Sequence, residues 1–224
     1  MSVLKVLRER VAPELNYLYT TPPADTAAGP DCGWHGPEIA LHTFLVARMF
    51  GAEAELCRGD YAVLSRFLPP LTTLERDTKH AWVNVNGVAP VDLSLTFELF
   101  GQAPQLRSAI VGEGRNGDWD VQYTDDEAAM DENFSNANEI LYIEREVVAQ
   151  TAEELLEQPG AFLSGEPLAA TLGPVTLHVF NCAAGRAKSV RSQGDRATAL
   201  AAIAVQYPDA VAQVRKLLAD AARR

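Results

Sequence analysis

The sequence predicts an α+β domain with a mainly antiparallel sheet. Apolar residues recur at helical spacing at both ends of the chain, whereas the middle alternates with the two-residue period of strands. Helices and strands that are segregated in this way are typical of α+β proteins. A length of 224 residues can bury one substantial core, and no shift in composition marks a boundary. We therefore expect a single domain over residues 1–224.

The first elements are predicted to be helices. Residues 3–19 carry apolar side chains at helical spacing, and Pro13 within them predicts two short helical pieces. A linker rich in Thr, Pro, Ala and Gly occupies residues 20–30. Residues 37–50 are apolar on most of the helix circumference, which predicts a buried helix that ends at Gly51.

Strands are predicted after this helix. Residues 80–92 form a hairpin pattern about Asn86-Gly87, a pair typical of tight turns. The other predicted strands cover residues 54–57, 61–67, 106–111, 119–123, 139–147 and 175–180.

The C-terminal part is predicted to be helical again. Thr151-Ala152-Glu153-Glu154 has the form of a capping box and predicts a short helix to about Glu157. A long loop is expected from there to Pro174. The chain then ends in two helices, residues 195–206 and 209–222, separated by Pro208.

Composition and charge limit the function. A formal net charge of -11 argues against a phosphate-binding surface, so nucleic acid is not an expected partner. No apolar run approaches the roughly 20 residues of a membrane helix, and residues 1–16 lack the features of a signal peptide. We expect a cytoplasmic protein that does not bind a membrane. Its cysteines, Cys32, Cys57 and Cys182, are then expected to be free thiols.

The three residue types of a nucleophilic triad occur in the order Cys, His and Asp along the chain. His80 and Asp92 lie on the two arms of the predicted hairpin, and Cys32 precedes the predicted buried helix. A thiol near a helix N-terminus is favoured as thiolate by the exposed N–H groups and by the helix dipole. His80 would pair with that thiolate and protonate the leaving group, and Asp92 would fix the tautomer of the ring.

The register of the hairpin tests this hypothesis. A plain two-residue turn at Asn86-Gly87 would place Asp92 opposite Ala81, on the face away from His80. A three-residue loop or a β-bulge would instead bring Asp92 beside His80. We predict one of these irregularities.

The stretch from Cys32 to Ser94 resembles the transglutaminase-like family of the papain-like superfamily. The resemblance rests on a cysteine before a buried helix, on the glycine that ends the helix, and on the segments His80-Ala81-Trp82 and Val91-Asp92. It implies a family core at about residues 31–96, in which a buried helix carries the nucleophile and packs on an antiparallel sheet. It also implies the triad Cys32, His80 and Asp92, with Trp34 and Trp82 beside the substrate cleft.

The resemblance implies acyl transfer through a thioester on Cys32. The substrate would be a peptide, another amide or ester, or an amine-containing acceptor, hydrolysis would be favoured, and no cofactor would be needed. The chain departs from the family in one respect, because the family's cysteine lies in the first turn of its helix, and counting back from Gly51 places that position near Gly36. Cys32 lies about one helical turn upstream. A catalytically inactive binding or assembly module is therefore the second hypothesis.

An arylamine acetyltransferase is a third interpretation. It would use the same triad, but the Arg-Gly-Gly sequence that usually leads into the cysteine is absent.

Each candidate residue also has a structural interpretation. His35 lies close to Cys32 and is a candidate for substrate contact, for the base, or for a metal ligand, although no second pair with zinc spacing accompanies it, so no metal site is predicted. Trp34 and Trp82 could equally be core residues, and Asp92 could cap the following turn. Core packing is the expectation for a larger set, namely Cys57, Cys182, His42 and His178.

Overall fold

The structure is a computed structural model that describes residues 1–19, 36–65, 71–72, 80–94, 109–130, 138–162, 166–191 and 196–224. It is an α+β fold with a mixed sheet, as the sequence predicts in outline. The described helices are α1 (Val3–Val6), α2 (Ala12–Tyr19), α3 (Gly36–Met49), α4 (Glu127–Met130), α5 (Ala152–Glu157), α6 (Glu166–Ala183), α7 (Arg196–Gln206) and α8 (Ala210–Ala221). The described strands are β1 (Ala54–Leu64), β2 (Leu71–Thr72), β3 (His80–Val85), β4 (Val88–Asp92), β5 (Ile110–Val111), β6 (Gly114–Asn116), β7 (Trp119–Tyr123) and β8 (Glu139–Ala149).

The sheet has the strand order β5-β4-β3-β1-β8-β7-β6, and β2 pairs with β1 outside this path. Its described pairs are antiparallel except for β7 and β8, which run parallel. Strand β1 lies between β3 and β8 and is buried over most of its length. The hairpin β3–β4 is therefore supported from one side by a strand that is itself held in the middle of the sheet.

Helix α3 packs on this sheet, and its first residue, Gly36, lies next to His80 of β3. Nearly all of its residues are buried, which agrees with the apolar circumference seen in the sequence. The helix is followed by Gly51, whose φ of 84° provides the left-handed conformation common after a helix C-terminus. The predicted helix and its end are thus confirmed.

The predicted break at Pro13 is wrong. A π-helical segment, Leu7–Val11, joins α1 to α2, and the helix continues through the proline. Proline lacks an N–H and crowds the carbonyl four residues earlier. The wider π turn lies immediately before Pro13, where it changes the hydrogen-bonding pattern, since the Ala12 N–H bonds to the Leu7 carbonyl.

The predicted strand at residues 175–180 is also wrong, because it lies in α6. The loop predicted to reach Pro174 is wrong from residue 166 onwards, since α6 begins at Glu166 and contains Pro174. Residues 175–180 are buried on every side, so their apolar run gives no periodicity that separates a strand from a buried helix. A Cβ on Gly173 would lie 2.9 Å from the Val211 Cγ2 atom of α8. Glycine at this point permits the close approach of the two helices.

The strands predicted at residues 54–57 and 61–67 form one continuous strand, β1, and the short elements β2, β6 and α4 were not predicted. Most of the remaining elements agree with expectation. Strand β7 matches the predicted residues 119–123, β8 contains residues 139–147, and α5, α7 and α8 fall within two residues of their predicted bounds. Thr151 occupies the N-cap position of α5, although its side chain makes no capping hydrogen bond. The predicted linker at residues 20–30 lies outside the described residues. Within the described residues, no helix is both long and apolar enough to cross a membrane.

Candidate active site

The β3–β4 hairpin combines a tight turn with a bulge. Asn86-Gly87 is a two-residue turn with φ angles of 51° and 74°, both positive as a type I′ turn requires. Val85 pairs with Val88 next to the turn, whereas Val83 pairs with Val91 further along. Strand β4 therefore carries one extra residue, and the predicted irregularity is confirmed.

The bulge brings His80 and Asp92 onto one face of the hairpin. Their Nε2 and Oδ2 atoms lie 2.5 Å apart, and both side chains are buried, with exposed fractions of 3% and 1%. A hydrogen bond between Nε2 and an ionised carboxylate places the proton of the neutral imidazole on Nε2. The Nδ1 atom then carries the lone pair and is the basic nitrogen of the ring.

Asp92 is held as a carboxylate by a full set of donors. Oδ1 accepts hydrogen bonds from the Ser94 backbone N–H at 2.9 Å and from the Ser94 hydroxyl at 2.6 Å, while the Tyr142 hydroxyl donates to Oδ2 at 2.9 Å. Burial raises the pKa of Asp92, but His80 and Ser94 more than offset this, and the pKa remains below its ordinary value. The group is therefore ionised at neutral pH.

Tyr142 acts on Asp92 as a neutral donor. Burial and the negative charge of Asp92 raise the pKa of Tyr142 well above its ordinary value, so the phenol keeps its proton. Its ring makes an edge contact with Trp82 at a centroid distance of 5.0 Å. Sequence reasoning missed this residue, because no local pattern links a strand residue to a carboxylate 50 positions away.

Aromatic rings surround the imidazole. Tyr61 lies 4.4 Å from the centroid of His80, and Trp82 lies 6.2 Å from it. Trp82 is 1% exposed and donates from Nε1 to the Tyr123 hydroxyl at 2.6 Å. Its burial is that of a core side chain adjacent to the site, which is one of the two roles expected from the sequence.

The first residue of α3 lies against the basic nitrogen. A Cβ atom on Gly36 would be 2.9 Å from Nδ1 of His80, 3.0 Å from Cε1 and 3.7 Å from the Ser94 hydroxyl oxygen. Only glycine fits this position unless the ring moves. The lone pair of Nδ1 is therefore directed towards the beginning of α3. Among the described residues, none forms a hydrogen bond with Nδ1.

The remaining sequence-predicted site residues, Cys32, Trp34 and His35, precede Gly36 and lie outside the described residues. The two described cysteines are not activated. Burial, and then Glu144, raise the pKa of Cys57. Burial and Glu14 raise the pKa of Cys182 to about 12. Both are therefore thiols at neutral pH, and Cys32 remains the candidate nucleophile.

His42 has a structural role, as expected. Its Nε2 atom is 2.7 Å from the Tyr19 hydroxyl and its Nδ1 atom is 2.8 Å from the Thr176 hydroxyl, so the ring connects α3 with α2 and α6. Burial lowers the pKa of His42 to about 3, which keeps the ring neutral.

Comparisons of the chain with protein-family models, with curated proteins and with solved structures returned no match.

Proposed function

We propose that this protein is a cysteine enzyme of transglutaminase-like, papain-like architecture, in which Cys32, His80 and Asp92 cleave or transfer an acyl group. The observation that carries the proposal is the buried His80–Asp92 pair, with the basic Nδ1 atom directed at the start of α3. Burying an ionised carboxylate is costly unless donors surround it. Here the donors also set the tautomer that a general base needs.

The distance along the chain permits Cys32 to reach this base. Gly36 is four positions after it, and an extended chain of four residues spans at most about 14 Å. The proposal requires that the segment return the thiol to Nδ1. Backbone N–H groups at the start of a helix lack intrahelical partners and would stabilise the thiolate.

The chemistry follows from these positions. Nδ1 of His80 takes the proton of the Cys32 thiol as Sγ bonds to the carbonyl carbon of an amide or ester. The imidazolium returns the proton to the leaving amine or alcohol as the C–N or C–O bond breaks, which leaves a thioester on Cys32. Water then attacks the thioester, with its proton passing to Nδ1, and the acid is released as the C–S bond breaks and Nδ1 returns the proton to Sγ. Hydrolysis is the proposed outcome, and an amine would replace water in transfer.

Alkylation of Cys32 by iodoacetamide tests the proposal. A thiol with a pKa of about 8.5 is only a few per cent ionised at pH 7. At pH 7, an activated Cys32 should react with iodoacetamide about tenfold faster than such an ordinary thiol, and its reaction should remain fast well below pH 8. The rate is measured peptide by peptide with mass spectrometry, so Cys57 and Cys182 serve as internal controls in the same sample.

The variant His80→Ala should abolish the advantage of Cys32 and leave the other two cysteines unchanged. A Cys32 that reacts as an ordinary thiol in the wild-type chain would contradict the proposal. Detection by mass of an acyl adduct on Cys32, after incubation with an activated ester, would identify the thioester itself.

A specific observation also favours a second candidate, a catalytically inactive binding or assembly module. Gly36 occupies the position that the family resemblance assigns to the nucleophile, and it leaves no room for a side chain between α3 and the His80 ring. In that case the His80–Asp92 pair would fix the hairpin to the sheet and do no chemistry. Ordinary reactivity of Cys32, together with marked loss of stability in Asp92→Ala, would support the module.

A further inference from the structure

A second polar cluster lies between two helices and has two buried members and one partly exposed member. Glu14 lies on α2, and His178 and Cys182 lie one turn apart on α6. Each residue offers one ligand atom, and these atoms all lie within 4.8 Å of one another. The Cys182 Sγ atom is 3.4 Å from Nε2 of His178, which is 4.0 Å from Oε2 of Glu14. None of these residues belongs to the site proposed above.

The carboxylate of Glu14 is only half satisfied. It is 2% exposed, and its Oε1 atom accepts a hydrogen bond from Nε of Arg191 at 3.1 Å. Its Oε2 atom is sealed from solvent, has no hydrogen-bond partner among the described residues, and faces His178. A buried carboxylate oxygen without a partner is costly, so the arrangement points to a ligand that the three side chains share.

His178 and Cys182 are also free to serve as ligands. His178 is 1% exposed, and within the described residues its Nδ1 atom forms no hydrogen bond. A hydrogen bond accepted by Nδ1 would hold the ring proton on Nε2, and no such bond is present among these residues. The Cys182 thiol lies 3.4 Å from both the Lys188 carbonyl and Nε2 of His178, and its single proton can serve only one of these acceptors. Cys182 is partly exposed, which gives an ion a route to the cluster from solvent.

We propose that Glu14, His178 and Cys182 bind one zinc ion. The nitrogen, sulfur and oxygen donors are the set that zinc takes in proteins. Tetrahedral zinc with ordinary bond lengths places nitrogen and sulfur ligands about 3.6 Å apart and nitrogen and oxygen ligands about 3.4 Å apart. The first separation is already present, and a shift of Oε2 by about 0.6 Å supplies the second.

The ion would satisfy Oε2 and connect α2 to α6, with a fourth position for water. Arg191 would keep its bond to Oε1 and orient the carboxylate, as groups around a metal ligand commonly do. Arg191 is 53% exposed, so solvent screens much of its repulsion of the ion.

Metal titration of the full chain without a polyhistidine tag tests the proposal. After treatment with a chelator, Zn²⁺ is added and its stoichiometry is measured by elemental mass spectrometry. We expect one ion per chain. With Co²⁺ in place of Zn²⁺, we expect the near-ultraviolet thiolate-to-cobalt absorption band of a cysteine ligand.

Cys182→Ser should remove the cobalt band and weaken zinc binding about tenfold or more, since second-sphere changes alone cost about that much. Cys32→Ser is the matched control and should keep both the cobalt band and the affinity for zinc. This result also separates the proposed site from one built on Cys32 and His35. Circular dichroism checks that each variant folds, and His178→Gln replaces Cys182→Ser if the latter does not. Absence of a stoichiometric ion, or a cobalt band that survives loss of Cys182, would overturn the proposal.

Discussion

The hydroxyl of Tyr142 is the most informative atom to remove from the site. Tyr142→Phe deletes the donor to Oδ2 of Asp92 at 2.9 Å and leaves the ring and its edge contact with Trp82 in place. Asp92 keeps its bonds to His80 and Ser94. The variant therefore isolates one hydrogen bond to a buried carboxylate.

The magnitude follows from the charge of the acceptor. Hydrogen bonds to ionised groups contribute about 1.5–3 kcal/mol to stability, and more when the remaining partner is left short of a donor. Tyr142 and Asp92 are both fully buried, so water cannot replace the lost hydroxyl without opening the core. We expect the free energy of unfolding to fall by about 2–3 kcal/mol.

Tyr17 offers a matched control for the same chemical change. Its hydroxyl is sealed from solvent and has no hydrogen-bond partner among the described residues. Tyr17→Phe removes an unsatisfied polar atom, so the free energy of unfolding should stay within about 0.5 kcal/mol or rise.

Both variants are unfolded with urea at pH 7, and circular dichroism monitors the transition. The difference in the free energy of unfolding is calculated with one common value for its dependence on urea concentration. A gap of about 2 kcal/mol or more between Tyr142→Phe and Tyr17→Phe is expected. Equal losses in the two variants would refute the view that Asp92 is ionised and held by Tyr142.

The remaining predictions concern Gly36 and two titrating groups. Gly36→Ala should lower the free energy of unfolding by about 1–3 kcal/mol, because its Cβ would meet His80 at 2.9 Å; Gly160→Ala, whose Cβ meets nothing within 4 Å, should cost less than about 0.5 kcal/mol. A Gly36→Ala variant as stable as its control would contradict the close approach. The pKa of His42 is about 3 in the folded chain and 6.5 ordinarily, so the unfolded chain takes up this proton first as pH falls. Stability should therefore drop by about 1.4 kcal/mol per pH unit between about pH 6 and 4, and urea unfolding of His42→Gln should lack that part of the slope. The pKa of Asp92 is also lowered by folding, so its contribution is present above about pH 4 and lost below it. Acid titration of Asp92→Asn should show a flatter loss, and an unchanged curve would exclude this role for the carboxylate.

The hairpin was predictable because its signals are local. Asn86-Gly87 fixes the turn through its positive φ angles. The requirement that His80 and Asp92 share a face then demands one extra residue, and β4 contains it. Sequence spacing alone left open whether the irregularity was in the loop or in a strand.

Helix α6 was mispredicted because its local signals conflict with its surroundings. Thr176 and His178 alternate with apolar neighbours as in a strand, and Pro174 suggests the end of a loop. Burial on all sides removes the polar face that would have shown the helical period. The contact of Gly173 with α8 is long-range, and no window of sequence includes both partners.

The parts of the site that sequence reasoning missed are likewise long-range. Tyr142 reaches Asp92 from β8, so this bond depends on the finished sheet. The family resemblance already placed the nucleophile position near Gly36, but the contact of Gly36 with the His80 ring is visible only in the fold. Ser94 is the exception, since a serine two positions after an aspartate is a recognisable local capping pattern. Residue types predicted the candidate site residues, whereas topology determines which residues surround His80 and Asp92.

The bond from Tyr142 to Asp92 makes the site depend on a strand that arrives late in the chain. A fragment that stops at Asp126 would contain Cys32, His80 and Asp92. In this fragment Oδ2 of Asp92 would lack the Tyr142 hydroxyl as a donor, and β1 would lose β8 as its neighbour in the sheet. The basic nitrogen would then sit in an unfinished sheet with one open edge. The full set of donors to Asp92 is therefore complete only when a strand residue 50 positions beyond it has joined the sheet.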